Sequence, residues 1–497
     1  MNMRAATNLP EPGRSCFRID NAERFSVIVD ADDYFHYARA AMINAKRRIT
    51  LVGWDFDARI KLGRSGHDEG PEKLGAFIYW LVERNPELEI FLLRWDIGAL
   101  ATLTRGTTFF TLLKWMRHPR IHTKLDSAHP TGSSHHQKIV VIDDCLAFCG
   151  GIDMTADRWD TREHRAHDER RRRPTTRRRY MPWHDATTAI TGPVTKVIAQ
   201  ICRERWRIAG GSPELTPLES VEACWPDGLP TGFSHVPLAV SRSAPELDDR
   251  GAIREIEALY ADQIARAQRF IYAESQYFAS RRIAEAIARR LDEPNGPEIV
   301  IVNPATADGW LEPIAMDTAR ARLFEALRRR DPHRRLRIYH PYNEGGEAIY
   351  VHAKILIVDD TILRVGSSNM NNRSMRLDTE CDVTLDLALA TSDEHSATIT
   401  AIRNDLLAEH LGTTPESIAA ALERTGSLIA AIEAHRRGER TLRAYETPDL
   451  NAVEAWLADN EVLDPDGPEE MFEPFTRRGL FRGRLGRTRR RRDIAHG

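Results

Sequence analysis

The chain predicts an α/β fold made of two pseudo-symmetric halves, each a mixed β-sheet flanked by helices, and three observations predict it. A pattern H-x-K-x4-D occurs twice: His136-Gln137-Lys138 runs through Ile139, Val140, Val141 and Ile142 to Asp143, and His352-Ala353-Lys354 runs through Ile355, Leu356, Ile357 and Val358 to Asp359. Amphipathic helical stretches alternate with short apolar runs around both copies, the signature of layered α/β structure. A segment rich in Gly, Pro and Ser, 210–237, separates the two halves.

Each element follows from its own pattern. Phe25-Ser26-Val27-Ile28-Val29 reads as a strand, the stretch through Tyr34, Ala38, Ala41 and Ile43 as an amphipathic helix, and Ile49-Thr50-Leu51-Val52-Gly53-Trp54 as a second strand. A helix is expected over 71–84 and an apolar strand over 88–95. The second half repeats the plan with a helix over 253–267, the strand Phe270-Ile271-Tyr272-Ala273-Glu274, a helix over 283–291 and the strand Ile299-Val300-Ile301-Val302. This divides the chain into a first repeat (1–209), a linker (210–237), a second repeat (238–412), a helical extension (413–476) and an arginine-rich tail (477–497). The tail is expected to be disordered.

Composition sets bounds on partners. A chain of 497 residues with 42% hydrophobic content can bury a sizeable core, and a net charge of -3 provides no global field for nucleic acid. Six scattered cysteines without C-x-x-C spacing read as reduced thiols. The start of the chain lacks an apolar signal core, and no apolar run approaches the roughly 18 to 20 residues a membrane span needs. A cytoplasmic protein is expected, peripheral to the inner face of the membrane. No cofactor and no metal ligand set are assigned: His135 beside His136 points to the opposite face of a strand, with no accompanying ligand spacing.

Residues i and i+2 of a strand share a face, so each motif presents an imidazole and an ammonium together. The duplication extends downstream: Gly150-Gly151-Ile152-Asp153 follows the first motif at the distance at which Gly366-Ser367-Ser368-Asn369 follows the second. Over about residues 20–410 the chain resembles the phospholipase D superfamily, whose mark is this duplicated motif and its downstream element. Arg158-Trp159-Asp160, Pro182-Trp183-His184-Asp185, Ile271-Tyr272-Ala273-Glu274-Ser275-Gln276-Tyr277-Phe278 and Asn371-Asn372-Arg373-Ser374-Met375 look like compact bacterial phospholipases D and transphosphatidylases.

The resemblance implies a site at the interface of the repeats. His136 is then the nucleophile and His352 the acid and later the base, although the motifs alone would allow the reverse. Lys138 and Lys354 bind phosphate oxygens, Asn369 adds hydrogen bonds, and Asp168 and Glu380 hold the second nitrogens of the two rings. Asp153 is the pseudo-equivalent of Asn369; Asp153, Asn371, Trp183 and Tyr277 are expected at the substrate. Asp143 and Asp359 are read as structural, ending their strands and bonding backbone, with Gly151, Gly366 and Ser368 as structural members of the motif. A core histidine would account for either imidazole alone, but duplication favours chemistry.

The implied activity is a phospholipase D that cleaves the distal phosphodiester of phosphatidylcholine or phosphatidylethanolamine, transferring to water or an alcohol through a phosphatidyl-histidine. A cardiolipin-synthase-like phosphatidyltransferase is the nearest alternative, followed by a nuclease and by an inactive lipid-binding scaffold. A monomer without nucleic-acid partners is expected. The arginines at 170–173 and 177–179, from Arg170 to Arg179, and those of the tail are expected to dock on anionic membrane.

Overall fold

The computed structural model describes residues 8–64, 69–96, 108–219, 225–247, 250–306, 312–390 and 394–447. The first repeat runs β1 (Arg18–Val29), α1 (Ala31–Ile43), β2 (Arg48–Gly53), α2 (Leu74–Arg84), β3 (Glu89–Trp95), α3 (Thr108–Met116), β4 (Ile121–Asp126), β5 (Ile139–Ile142), β6 (Leu146–Gly150), β7 (Trp183–His184), β8 (Ala186–Thr191) and α4 (Pro193–Ile208). The second runs β9 (Phe233–Ala244), β10 (Ile253–Arg254), α5 (Glu255–Arg266), β11 (Phe270–Glu274), α6 (Arg281–Leu291), β12 (Glu298–Val302), α7 (Glu312–Arg329), β13 (Leu336–Tyr342), β14 (Tyr350–Val351), β15 (Ile355–Val358), β16 (Ile362–Gly366), β17 (Glu380–Asp386) and α8 (Ser396–Leu411). The extension adds α9 (Pro415–Thr425), α10 (Leu428–His435) and β18 (Thr441–Ala444).

The two sheets are one. The strand order is β18-β13-β12-β11-β15-β16-β17-β9-β1-β8-β6-β5-β2-β3-β4, and its seam is the long antiparallel pair β1–β9, where Arg18 faces Val240 and Phe25 faces Phe233. About that seam the order is nearly palindromic, β17 answering β8, β16 answering β6 and β15 answering β5. Both motif strands, Ile139–Ile142 and Ile355–Val358, are buried at every position. Uninterrupted apolar runs of this kind suit strands covered on both faces. One core cluster spans both halves, joining Phe91 and Val141 to Val300 and Ile357, and each half has a further core on its other face.

Two boundaries differ from the sequence expectation. Residues 233–237, assigned to the linker, begin β9, because Phe233 and Val236 are buried in the seam. The extension is not wholly helical, since β18 pairs antiparallel with β13 and closes that edge of the sheet. The tail and the rest of the extension beyond 447 lie outside the described residues. The five described cysteines are free thiols. No described helix is long and apolar enough to cross a membrane.

The last residue of each motif is a fold determinant. Asp143 and Asp359 sit at φ 51 and φ 50, and Asp144 and Asp360 beside them are also left-handed, a region that Asp tolerates better than most side chains. The Asp143 carboxylate accepts from the backbone N–H groups of Lys46, Arg47 and Arg48, each at 2.7 Å. Asp359 does the same for Gln268, Arg269 and Phe270. Each carboxylate thus ties the hairpin turn after its motif strand to the start of the neighbouring strand.

Candidate active site

The two histidines meet across the seam. Each H-x-K segment lies just ahead of its strand rather than within it, but the ladder continues through it: Gly150 N–H donates to the Lys138 carbonyl and Gly366 N–H to that of Lys354. The ring centroids of His136 and His352 are 6.4 Å apart, at 64° to one another. Both line a cavity of about 310 Å³, with Asp153, Arg158, Trp183, Gln276, Tyr277, Asn369, Asn371 and Arg373 among its walls.

Each imidazole is oriented by an acid from the other repeat. His136 Nδ1 is 3.0 Å from both oxygens of Glu380, which in turn accepts from Ser374 Oγ at 2.6 Å and from Ser367 Oγ. His352 Nδ1 is 2.7 Å from Asp185 Oδ2. The main chain crosses in the same way, His136 N–H donating to the Thr379 carbonyl and His352 N–H to that of His184. Asp168, expected as a backing acid, holds neither ring. It is partly exposed and accepts from the Arg170 N–H at 2.7 Å, closing a turn of its own loop. Asp185 takes the role instead, entering β8 as Glu380 enters β17.

The lysines stand behind the rings. Lys138 Nζ donates to the His136 carbonyl at 2.7 Å and pairs with Asp153 at 3.1 Å. Lys354 Nζ donates to the His352 carbonyl. Asp153 also accepts from Trp54 N–H, whereas Asn369 Nδ2 reaches Gln276 and its Oδ1 is buried without a partner. Asn371 accepts from Ser374 N–H and so shapes the single π-turn that delivers Ser374 to Glu380. Trp183 stacks on Tyr350 at 4.5 Å beside His352, under the Arg158 guanidinium. Tyr277 accepts at its hydroxyl from Gln276.

The glycines answer to close approach. A Cβ on Gly151 would collide with the Asp185 carboxylate, and one on Gly366 with that of Asp382. Ser368 donates to Asp382 through both its N–H and its hydroxyl.

Burial dominates the protonation states. It holds both imidazoles well below the ordinary histidine value, reinforced at His136 by the Lys138 and Lys354 charges and at His352 by Lys354 and Arg158. The Lys354 ammonium is pushed down to about 7 by burial, against the attraction of Asp185. Glu380 is pushed up to about 8 by burial, opposed by its serine hydrogen bonds, and Asp185 is raised for the same first reason. The free site therefore favours neutral imidazoles, one of which can attack directly.

Sequence reasoning did not assign site roles to Asp185 and Ser367, which hold the His352–acid and Glu380 contacts, or to Arg158, Gln276, Ser374 and the stacked pair Trp54–Trp95 in the cavity wall. The sheet pairing makes Asp185 the counterpart of Glu380, since Gly150 pairs with Thr187 as Gly366 pairs with Asp382, two residues further along each strand. The arginine loop also needs correction. Arg171 is fully buried and paired with Asp160, while Arg170, Arg172 and Arg173 are engaged with Asp32, Glu169 and Asp157. The loop uses these residues first to hold itself together.

Comparison with known proteins agrees with this architecture. Residues 41–225 match the family model described as Phospholipase D, and residues 260–400 match that described as Cardiolipin synthase, PLD-like domain. Phospholipase D A of Dictyostelium discoideum is 27% identical over 424 residues, covering 70% of this chain and 31% of that protein. Phospholipase D alpha 1 of Vigna unguiculata is 24% identical over 515 residues, covering 75% of this chain and 63% of its own length. The chain thus spans less than two thirds of these curated relatives. The crystal structure of phosphatidylserine synthase from Haemophilus influenzae Rd KW20 superposes with a TM-score of 0.54 at 15% identity, over 88% of this chain and 99% of that one, which shows the shared fold. With one matched segment around each histidine motif and the two motifs facing across one sheet, the chain belongs to the phospholipase D superfamily.

Proposed function

We propose that the chain is a phospholipase D that cleaves the distal phosphodiester of glycerophospholipids such as phosphatidylcholine or phosphatidylethanolamine, with transphosphatidylation as its companion reaction. The observation that carries this reading is the pair of facing imidazoles, each held at Nδ1 by a carboxylate of the opposite repeat. That hydrogen bond leaves each Nε2 for the phosphate and stabilises the ring when it becomes charged.

His136 Nε2 attacks phosphorus, and the bond to the head-group oxygen breaks as His352 gives that oxygen a proton. The anionic phosphate raises the affinity of His352 for the proton it must carry. In the second step His352 takes a proton from water or an alcohol, whose oxygen attacks phosphorus while the phosphorus–nitrogen bond breaks. The Lys138 and Lys354 charges, with Asn369 and Arg158, favour the charge that builds on the non-bridging oxygens. The stacked aromatics Trp54, Trp95 and Trp183 suit an acyl-bearing substrate. The outer arginines Arg177 and Arg178 remain the candidates for contact with an anionic surface.

A second reading, a phosphatidyltransferase acting on an alcohol acceptor, is supported by the second-repeat match to a cardiolipin-synthase-type domain. Incubation of the protein with phosphatidylcholine, with and without a primary alcohol, tests both. Phosphatidic acid in water alone supports the lipase, product formation only with a glycerol-bearing acceptor supports the transferase, and no turnover of either kind overturns the proposal.

A further inference from the structure

Behind the His352 side of the site lies a polar cluster that the phosphodiester chemistry does not use. Asp30, His164, His184 and Glu409 are all buried, and one donor atom from each lies within 4.8 Å of the others. Around the cluster His184 Nδ1 is 2.8 Å from Glu409 Oε1 and 3.5 Å from Asp30 Oδ1, while His164 Nε2 is 3.0 Å from Glu409 Oε1 and 3.4 Å from Asp30 Oδ2. A tetrahedral site with bonds of about 2.1 Å places its donors about 3.4 Å apart.

The surroundings orient these four groups as ligands. His164 is held at its other nitrogen by Asp160 at 3.0 Å, and His184 at its other nitrogen by Glu274 at 2.8 Å. With those outer nitrogens donating to carboxylates, the inner nitrogen of each neutral ring presents a lone pair. Without an ion these inner nitrogens meet carboxylate oxygens, His164 Nε2 at 3.0 Å from Glu409 Oε1, and the carboxylates raise the proton affinity of both rings against burial, so that a proton stands where a cation would bind. His184 Nδ1 and Asp30 Oδ2 are indeed buried without a hydrogen-bond partner, despite the short approach to Glu409. The carboxylates Asp30, Asp160, Glu274 and Glu409 are gathered here, with the guanidiniums of Arg162, Arg171 and Arg440 as the neighbouring cations. We propose that Asp30, His164, His184 and Glu409 hold a divalent transition-metal ion of the zinc type, in a structural site that fixes Asp185 behind His352.

The coupling to the site is direct. Asp30 and Asp185 are tied by two hydrogen bonds, Asp30 N–H to the Asp185 carbonyl at 2.7 Å and Asp185 N–H to the Asp30 carboxylate oxygen Oδ1 at 3.0 Å. His184 carries the carbonyl that receives the His352 N–H. Two imidazoles and two carboxylates are a donor set suited to zinc. The ion bridges segments that are distant in sequence, including α8 of the second repeat.

The test is metal analysis of the full chain produced in zinc-supplemented medium, with cobalt as an optical probe. About one zinc per folded chain is expected, a rise in Tm with added zinc, and the intense visible bands of tetrahedral cobalt after exchange. In His164→Asn and Glu409→Gln chains that stay folded by circular dichroism, zinc content should fall at least tenfold. A folded wild-type chain that holds no zinc and gains no Tm from it overturns the proposal, as does undiminished binding in both variants. If neither variant folds, the wild-type cobalt spectrum decides, the bands of a hydrated octahedral ion counting against the site. These readouts are independent of lipid turnover, so they stand or fall separately from the phospholipase reading.

Discussion

The exchange of acids between repeats gives the sharpest tests at the level of single residues. Asp185 and Asp168 both lie in the first repeat, yet only Asp185 touches His352. Asp185→Asn is therefore expected to lower kcat by about 10²-fold or more, and Asp168→Asn to stay within about threefold, on a monomeric short-chain substrate. The reverse ranking would restore the sequence-based assignment. His136→Ala removes hydrolysis and alcohol transfer together if both pass through one covalent intermediate, and loss of only one would exclude a shared intermediate. On the proposed mechanism Lys354 sets the alkaline limb, because its charged form would neutralise phosphate and burial brings its titration down to about 7. kcat/KM, which reports the free enzyme, is expected to fall as pH rises through about 7, with the acid limb from the imidazoles well below 6.5. The same shift has a consequence for stability. Between pH 7 and the unfolded lysine value the unfolded chain binds more protons, so the penalty of the buried charge is full below 7 and fades as pH rises towards 10.5. Lys354→Met is accordingly expected to raise Tm at neutral pH while abolishing turnover, a gain that shrinks in alkaline buffer.

Among the elements, the motif strands show how one short pattern encodes both chemistry and architecture. The four apolar residues between Lys and Asp are buried in both copies, and the terminal Asp binds three backbone amides of the neighbouring strand's entry. Asp143→Ala leaves three N–H groups without that acceptor and is expected to cost about 2–4 kcal/mol, with kcat nearly unchanged at low temperature. Asp359→Ala is expected to cost less, because Asp359 is partly exposed and water can replace it, whereas Asp143 is 2% exposed. Denaturant melts of the two variants check the order. The first strands and helices of each repeat, the motif strands and the structural reading of both Asp residues could be read locally, from periodicity and turn chemistry, whereas later elements such as β8, β17 and α8 were not assigned from the sequence. The start of β9 and the existence of β18 were not legible, since each becomes a strand by pairing with a partner, β1 and β13, that is remote in sequence.

For the molecule as a whole, the β1–β9 seam and the crossed histidine–acid pairs make the two repeats one structural unit. A single calorimetric transition is expected, with its van't Hoff enthalpy equal to the calorimetric one; two resolved transitions would show the repeats to be separable. What the sequence determined by itself was whatever repeats or alternates along the chain: the α/β class and the duplication, and with them the expectation that His136, Lys138, His352, Lys354 and, through family resemblance, Glu380 share one site. Only the tertiary structure decided that Asp185 rather than Asp168 backs His352, that Arg171 belongs to the interior, and that Asp30, His164, His184 and Glu409 converge. The reason is physical: a pattern records which face of its own element a side chain takes, whereas a hydrogen bond across the seam depends on how strands far apart in sequence are brought side by side.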